Sequence, residues 1–96
     1  AKSLSPFERA VIRELCLVAG LSTHRVARLT GSTAGTVSTL CMPWRRDDNK
    51  EHALLEAAAS DLGMDIFKNE QTSALMKFLE AAKISSDRIR NEEKAT

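Results

Sequence analysis

Two arginines lie before a run of small, mostly polar residues, and two more lie after it. Arg25 and Arg28 precede the segment 33–39, and Arg45 and Arg46 follow it. A guanidinium group keeps its charge at any physiological pH and binds phosphate through two parallel hydrogen bonds. The expected chemistry is therefore phosphate recognition, in which the arginines supply affinity but read no sequence. The alternative is a solvated surface that carries scattered arginines.

The polar and small side chains of the segment 33–39 are all short. None of them can make the bidentate contacts that arginine makes with guanine or that asparagine and glutamine make with adenine. Short side chains instead allow a helix to lie close to the base edges, with methyl groups against thymine and hydroxyls toward phosphate or base. The residues expected to contact a DNA groove are Thr33, Ala34, Gly35, Thr36, Ser38 and Thr39. The residues expected to contact phosphate are Arg25, Arg28, Arg45 and Arg46, assisted by His24 and Lys2.

Gly35 has two explanations that the sequence leaves open. A glycine inside a helix costs roughly 1 kcal/mol relative to alanine, so its presence calls for a reason. A side chain at this position would collide with bound DNA, or the glycine permits close packing of its helix on the first helix of the chain. Both explanations place residue 35 within a helix.

Other kinds of chemistry have no support in the residue spacing. The two cysteines and two histidines show neither C-x-x-C nor H-x-x-x-H, so we expect no metal site. Cys16 and Cys41 stand among apolar residues and are expected to be reduced, small, buried side chains. The segment 31–35 lacks the lysine of a phosphate-binding loop, and neither His24 nor His52 has a catalytic partner nearby in sequence. We therefore expect no cofactor and no enzymatic activity.

The composition indicates that helices position these residues. A chain of 96 residues allows one compact domain. Aromatic residues are scarce, with three Phe, one Trp and no Tyr, which disfavours sheets and favours an all-α fold of about five helices. No apolar run approaches the roughly 20 residues that span a bilayer, and the first residues lack the apolar core of a signal peptide. We therefore expect no membrane association and a cytoplasmic location.

Capping residues and apolar periodicity predict where the helices lie. Ser5, Pro6 and Glu8 form the pattern of a capping box, and Gly20 is expected to end the first helix. Asp48 or Asn49 is expected to cap the fourth helix, and Ser32 or Thr33 the third, which Pro43 stops. The predicted helices cover about 6–19, 23–29, 34–42, 51–62 and 70–84. Residues 85–96 extend or restart a helix, with fraying expected from Arg88 onward.

The second and third predicted helices have the spacing of a helix-turn-helix. This motif requires a small residue in its first helix, a glycine in the turn and apolar residues on the inner face of its second helix. Ala27, Gly31 and Val37 satisfy these requirements in turn, and Val26 and Leu40 complete the inner face. The spacing therefore predicts a helix-turn-helix within residues 23–42.

The first part of the chain resembles a known group of domains. The residues that carry the resemblance are Leu4-Ser5-Pro6, Glu8-Arg9, Val11-Ile12, Gly20-Leu21-Ser22, Val26-Ala27 and Gly35-Thr36-Val37. They are similar to the pattern of LuxR-type and sigma-factor region 4 domains of the helix-turn-helix superfamily. The resemblance covers residues 4–40. It implies a stand-alone transcription regulator whose recognition helix, at about 33–42, enters the major groove of DNA.

The charge of the chain is unevenly distributed. The region 1–46 holds seven Lys or Arg against two Glu, a net +5, whereas the region 47–96 holds seven against eleven acids, a net −4. We interpret residues 4–46 as the DNA-binding region and residues 47–96 as an acidic helical region of the same compact domain. The acidic region is expected to keep its negative charge away from DNA.

Two apolar stripes in the acidic region have alternative roles. They form a dimer interface, or they complete the core of the single chain, and both roles are compatible. The stripe residues are Leu54, Leu55, Ala58, Leu75, Phe78 and Leu79. The size of a DNA site favours a homodimer, because one helix-turn-helix contacts few base pairs, whereas two read half-sites about 34 Å apart.

Two functions of different class follow. The first is a sequence-specific, DNA-binding transcription regulator that acts as a homodimer. The second is a helical module that binds another protein, such as a polymerase subunit or a regulatory partner, through the acidic region.

Overall fold

The described part of the chain folds into five α-helices. A computed structural model of the chain describes residues 4–95, and every regular element within that range is helical, which confirms the all-α prediction. The helices are α1 (Pro6–Arg13), α2 (Thr23–Thr30), α3 (Ala34–Cys41), α4 (Lys50–Leu62) and α5 (Asn69–Ala95). A short 3-10 turn, Met42–Trp44, follows α3. Pro43 lies in that turn and ends α3 as predicted, because proline cannot donate the next helical hydrogen bond.

Side-chain caps set the starts of the helices. The capping box at α1 is confirmed, since the Ser5 hydroxyl accepts from the Glu8 amide and the Glu8 carboxylate accepts from the Ser5 amide, each at 3.1 Å. Thr33 caps α3, and its hydroxyl accepts from the Thr36 amide at 3.2 Å. Asn49 caps α4. Each cap satisfies one of the amide groups that a helix start leaves without a partner.

The end of α1 differs from the prediction of one regular helix up to Gly20. The segment Glu14–Val18 forms a π-helical turn, in which the Ala19 amide donates to the Glu14 carbonyl at 3.0 Å. A π-turn holds one more residue than an α-turn, so the residues after it rotate relative to the helix before it. Leu15 is fully buried within this turn, and Cys16 packs at the edge of the core. Apolar spacing alone carries no signal for such an insertion.

The core combines residues from both regions of the chain. Buried side chains of α1, α2 and α3 pack with Ala82 of α5 in one cluster, whose largest members include Ile12, Val26 and Val37. A second cluster lies between α4 and α5. Phe78 and Leu79 pack against both clusters. The acidic region therefore completes the core on which the helix-turn-helix rests.

The six stripe residues are explained by this core. Leu54, Ala58 and Leu75 are 7%, 2% and 0% exposed, so their own chain covers them. Leu55, Phe78 and Leu79 are partly buried against the two clusters. Of the two roles considered, completion of the core is the one that the structure shows, and the three buried residues have no surface to offer a second copy.

The last helix is longer than predicted. It continues without a break from Asn69 to Ala95, so the expected fraying from Arg88 onward is wrong for the described residues. Ser86 is 4% exposed and Ile89 packs against the first cluster. These tertiary contacts hold a segment whose own sequence is mostly polar, because packing outweighs intrinsic helix propensity.

Candidate nucleic-acid interface

The turn between α2 and α3 has the backbone that the glycine spacing predicted. Gly31 ends α2 with a φ of 70°, a left-handed conformation that costs other residues free energy. The Ser32 amide donates to the Ala27 carbonyl at 3.0 Å and closes the helix end. The Thr30 and Ser32 hydroxyls are 2.7 Å apart. The turn therefore holds the start of α3 in a defined position next to the end of α2.

The inner face of the motif is buried as predicted. Val26 and Val37 are fully buried, and Ala27 is 7% exposed. Leu40 is partly buried against the same cluster. The two helices thus pack through the small and apolar residues that the spacing selected, which turns the opposite side of α3 toward solvent.

The outer side of α3 presents short side chains. Thr33, Gly35 and Thr39 are exposed, and Ala34, Thr36 and Ser38 are partly exposed. The Thr33 hydroxyl donates to the Thr36 hydroxyl at 2.9 Å, and the Thr39 hydroxyl donates to the Gly35 carbonyl at 2.9 Å. These hydroxyl protons are used within the helix, so the two oxygens face a ligand as acceptors. The helix carries no charged side chain.

Gly35 faces open space. A Cβ atom built at this position has no heavy atom within 4 Å outside the local backbone. Close packing of α3 on the first helix therefore does not account for this glycine, and that explanation is wrong. The other explanation, that a side chain at residue 35 would collide with bound DNA, stays a prediction.

The arginines expected to bind phosphate are on the surface. The side chains of Arg25 and Arg28 on α2 are 44% and 75% exposed. Arg45 and Arg46 follow α3 and are exposed, and an Arg45 nitrogen lies 3.6 Å from the Cys16 sulfur. His24 at the start of α2 is also exposed, whereas Lys2 lies outside the described residues.

A carboxylate at the end of α5 occupies two of these arginines. Glu93 forms an ion pair with Arg25 through both of its oxygens, and one oxygen lies 3.8 Å from the Arg28 guanidinium. The hydrogen bond lowers the pKa of Glu93 and raises the pKa of Arg25, so both groups are charged at neutral pH. The expectation that the acidic region keeps its charge away from the interface is wrong at this point.

Charge counts do not reveal the position of Glu93, but the residue spacing along α5 contains a signal for it. Ala82, Ser86, Ile89 and Glu93 follow one another at steps of four, three and four residues. That spacing continues the buried face of α5 and brings Glu93 to the same side as the core residues. A polar residue at the end of an apolar stripe lies at the rim of the core, where it can reach a charged neighbour.

A buried arginine fixes the far end of α3. Arg13 is 6% exposed, and its Nε donates to the Leu40 carbonyl at 3.2 Å. Its Nη1 donates to Asp61 of α4 at 2.7 Å. Arg9, one turn earlier on α1, lies 3.6 Å from the other Asp61 oxygen. Sequence spacing gives no sign of this cluster, because residues 13, 40 and 61 come together only in the folded chain.

Two buried titratable groups outside this interface have raised pKa values. Burial raises the pKa of the Cys41 thiol to about 12, so it is protonated at neutral pH. Burial also raises the pKa of Glu14, an effect that Lys83 partly offsets. Both cysteines are free thiols, and residues 4–93 contain no group of three or more His, Cys, Asp or Glu arranged to hold a metal ion.

No helix in the described part of the chain has both the length and the apolar character needed to cross a membrane.

These features define an all-helical domain in which a helix-turn-helix arrangement presents an uncharged face between arginine-bearing segments. No protein-family model, curated protein or solved structure matches the chain. The resemblance to LuxR-type and sigma-factor region 4 domains therefore stays a prediction.

Proposed function

We propose that this chain is a cytoplasmic transcription regulator that binds double-stranded DNA as a homodimer, with α3 in the major groove. The observation that carries the proposal is the outer side of α3. It is exposed, uncharged and short in its side chains, and arginines precede and follow it along the chain. A surface of this kind suits a helix that approaches base edges closely while neighbouring cations neutralise phosphates.

The packing of α3 supports this proposal. A recognition helix must be held rigidly from behind, because its outer residues contribute contacts rather than stability. Val37 holds the middle of α3 in the core, and Arg13 holds its end through the Leu40 carbonyl. The turn at Gly31 holds its beginning. The helix is therefore supported along its whole length, which leaves its outer side available to a ligand.

The size of the chain is compatible with a dimer on two half-sites. The described residues extend over 41 × 29 × 25 Å. These dimensions are compatible with a pair of copies whose α3 helices lie about 34 Å, one turn of DNA, apart. The exposed side of α5 carries Met76 and Ile84, which are 62% and 54% exposed and provide an apolar surface for the second copy. Light scattering measures this state directly, and a monomer at high protein concentration in the presence of DNA contradicts it.

Selection from a random pool of duplex DNA tests the proposed function. We expect recovery of an inverted repeat whose half-sites are about 10 base pairs apart between centres. Affinity for the selected duplex should fall steeply with salt concentration, because the arginines release counterions from the phosphates. Failure to retain any duplex, even at low salt, contradicts the proposal.

Replacing Gly35 by alanine should separate stability from binding. Because the added methyl group meets open space, the variant should be more stable to unfolding by roughly 1 kcal/mol. The same methyl group lies on the face that approaches DNA, so affinity for the selected duplex should fall. Thermal unfolding and fluorescence anisotropy measure the two effects. A more stable variant with unchanged affinity would show that DNA does not approach α3 at residue 35.

Replacing Glu93 by glutamine should strengthen DNA binding. The change keeps the shape of the side chain but removes the charge that pairs with Arg25 and Arg28, so both arginines become free for phosphate. The gain should not exceed about fivefold, because exposed ion pairs contribute little, and it should shrink at high salt. Glu92→Gln is the matched control, since Glu92 is exposed and changes the net charge equally. Equal affinities for the two variants would mean that Glu93 does not compete with DNA.

The second candidate function is a module that binds another protein through the acidic region. Phe67, between α4 and α5, supports it because this aromatic side chain is 89% exposed. It lies beside a shallow groove that includes Met64 and Ile66. Exposed aromatic residues are frequent anchors at protein interfaces. If the DNA selection recovers nothing, affinity for a polymerase subunit that depends on Phe67 is the result that favours this function.

A further inference from the structure

A groove lies between the beginning of α1 and the outer side of α3. Its volume is about 580 Å³. The described residues that line it are Leu4, Arg9, Thr33, Gly35, Thr36, Thr39 and Leu40. Four of them belong to the set expected to contact DNA, and Arg9 is the one charged residue among them. Arg9 belongs to α1 and lies outside the helix-turn-helix.

The position of this groove suits a strand of phosphodiester backbone. When a helix enters the major groove of DNA, the sugar-phosphate ridges run along its two sides. A depression next to the recognition helix is where such a ridge lies. The Thr33 and Thr39 hydroxyls donate within the chain, so they offer acceptors, as phosphate oxygens do, and a cation is needed to attract the ridge. Arg9 is positioned to be that cation.

Arg9 is only loosely engaged in the free protein. Its side chain is 33% exposed, and its ion pair with Asp61 is long, at 3.6 Å. Asp61 is already bound by Arg13 at 2.7 Å, so Asp61 keeps a cationic partner when Arg9 turns away from it. The guanidinium of Arg9 can therefore turn toward the groove, because its long contact with Asp61 is the weaker of the two that this carboxylate makes.

We propose that Arg9 and the groove beside α3 form a phosphodiester-binding site, which clamps one DNA strand from the α1 side. This inference rests on the proposed function, and it extends the interface to a helix that precedes the motif. The clamp holds the backbone through charge, so it acts on every DNA sequence alike.

The test compares Arg9→Gln with Arg88→Ala. The glutamine variant keeps most of the aliphatic stem and removes the charge, whereas Arg88 is exposed on α5 and gives the same change of net charge away from the groove. Binding to the selected duplex and to a random-sequence duplex is measured by anisotropy at several salt concentrations. Arg9→Gln should weaken both complexes by about three- to tenfold near 0.1 M salt and reduce the salt slope by about 0.9. Arg9→Lys should retain the slope.

The outcomes are distinguishable from a failure of the proposed function. If wild-type protein binds DNA and Arg9→Gln behaves like Arg88→Ala, the clamp is refuted while the DNA-binding function stands. If Arg9→Gln weakens only the selected duplex and leaves the slope unchanged, Arg9 reads a base, which overturns its assignment to phosphate. If the wild-type protein binds neither duplex, the proposed function itself fails. Thermal unfolding of each variant checks that the fold is retained, and Arg9→Lys provides the comparison if Arg9→Gln unfolds.

Discussion

Replacing Arg13 by alanine is expected to lower the free energy of unfolding by about 3–5 kcal/mol, because it breaks a buried ion pair from one side. Arg13 is 6% exposed, and it satisfies both the Asp61 carboxylate and the Leu40 carbonyl. Without it, the partly buried Asp61 carboxylate keeps only its longer pair with Arg9, and the Leu40 carbonyl loses its side-chain donor. A loss of this size removes much of the stability of a small domain.

Urea unfolding followed by far-ultraviolet circular dichroism measures the effect of Arg13→Ala. The control is Arg46→Ala, an exposed arginine whose loss should change the free energy of unfolding by no more than about 0.5 kcal/mol. A loss below about 1 kcal/mol for Arg13→Ala would mean that water replaces the missing hydrogen bonds. The cluster would then not hold α3 in place.

The second large effect is expected on DNA binding, for the double variant Arg28→Ala/Arg45→Ala. Each arginine is exposed, one on α2 and one after α3. Each should account for about one unit of the salt slope, so the double variant should lose about two units. Because phosphate contacts carry no sequence information, affinity should fall to a similar degree for the selected and the random duplex.

The control for that experiment is Lys77→Ala/Arg88→Ala, which removes two exposed cations of α5 and gives the same net charge. It separates phosphate contact from the overall charge of the protein. If the arginine and control variants bind equally well, docking through the helix-turn-helix is wrong. A loss confined to the selected duplex would instead indicate base contacts by an arginine.

The parts of the fold that could be predicted depend on local chemistry. The Ser5–Glu8 capping box and the turn at Gly31 are short-range features, and their residue types specify the backbone directly. The buried face of the motif, with Val26 and Val37, follows from helical periodicity. Interactions between residues close in sequence determine each of these features, so each was confirmed.

The parts that could not be predicted depend on distant contacts. The π-helical turn at Glu14–Val18 is an insertion that no residue type marks. The pairing of Glu93 with Arg25 joins residues 68 positions apart. Arg9 stands beside α3 only because α1 packs across it, so the charged lining of the groove was not visible in the sequence. Counting charges by region shows that the first region is basic and the second acidic. It does not show where residues of the two regions come into contact.

The reliance of the helix-turn-helix on α5 has a consequence for the order of events during synthesis. Ala82 lies in the same buried cluster as residues of α1, α2 and α3, and Ile89 packs against that cluster. When α3 has just emerged from the ribosome, the core of the helix-turn-helix therefore still lacks the side that α5 supplies. Domains fold as units once their chain has emerged. We therefore expect α3 to reach its final position only after α5 leaves the exit tunnel. Under the proposed function, a nascent chain of this protein engages DNA only after α5 has emerged from the ribosome.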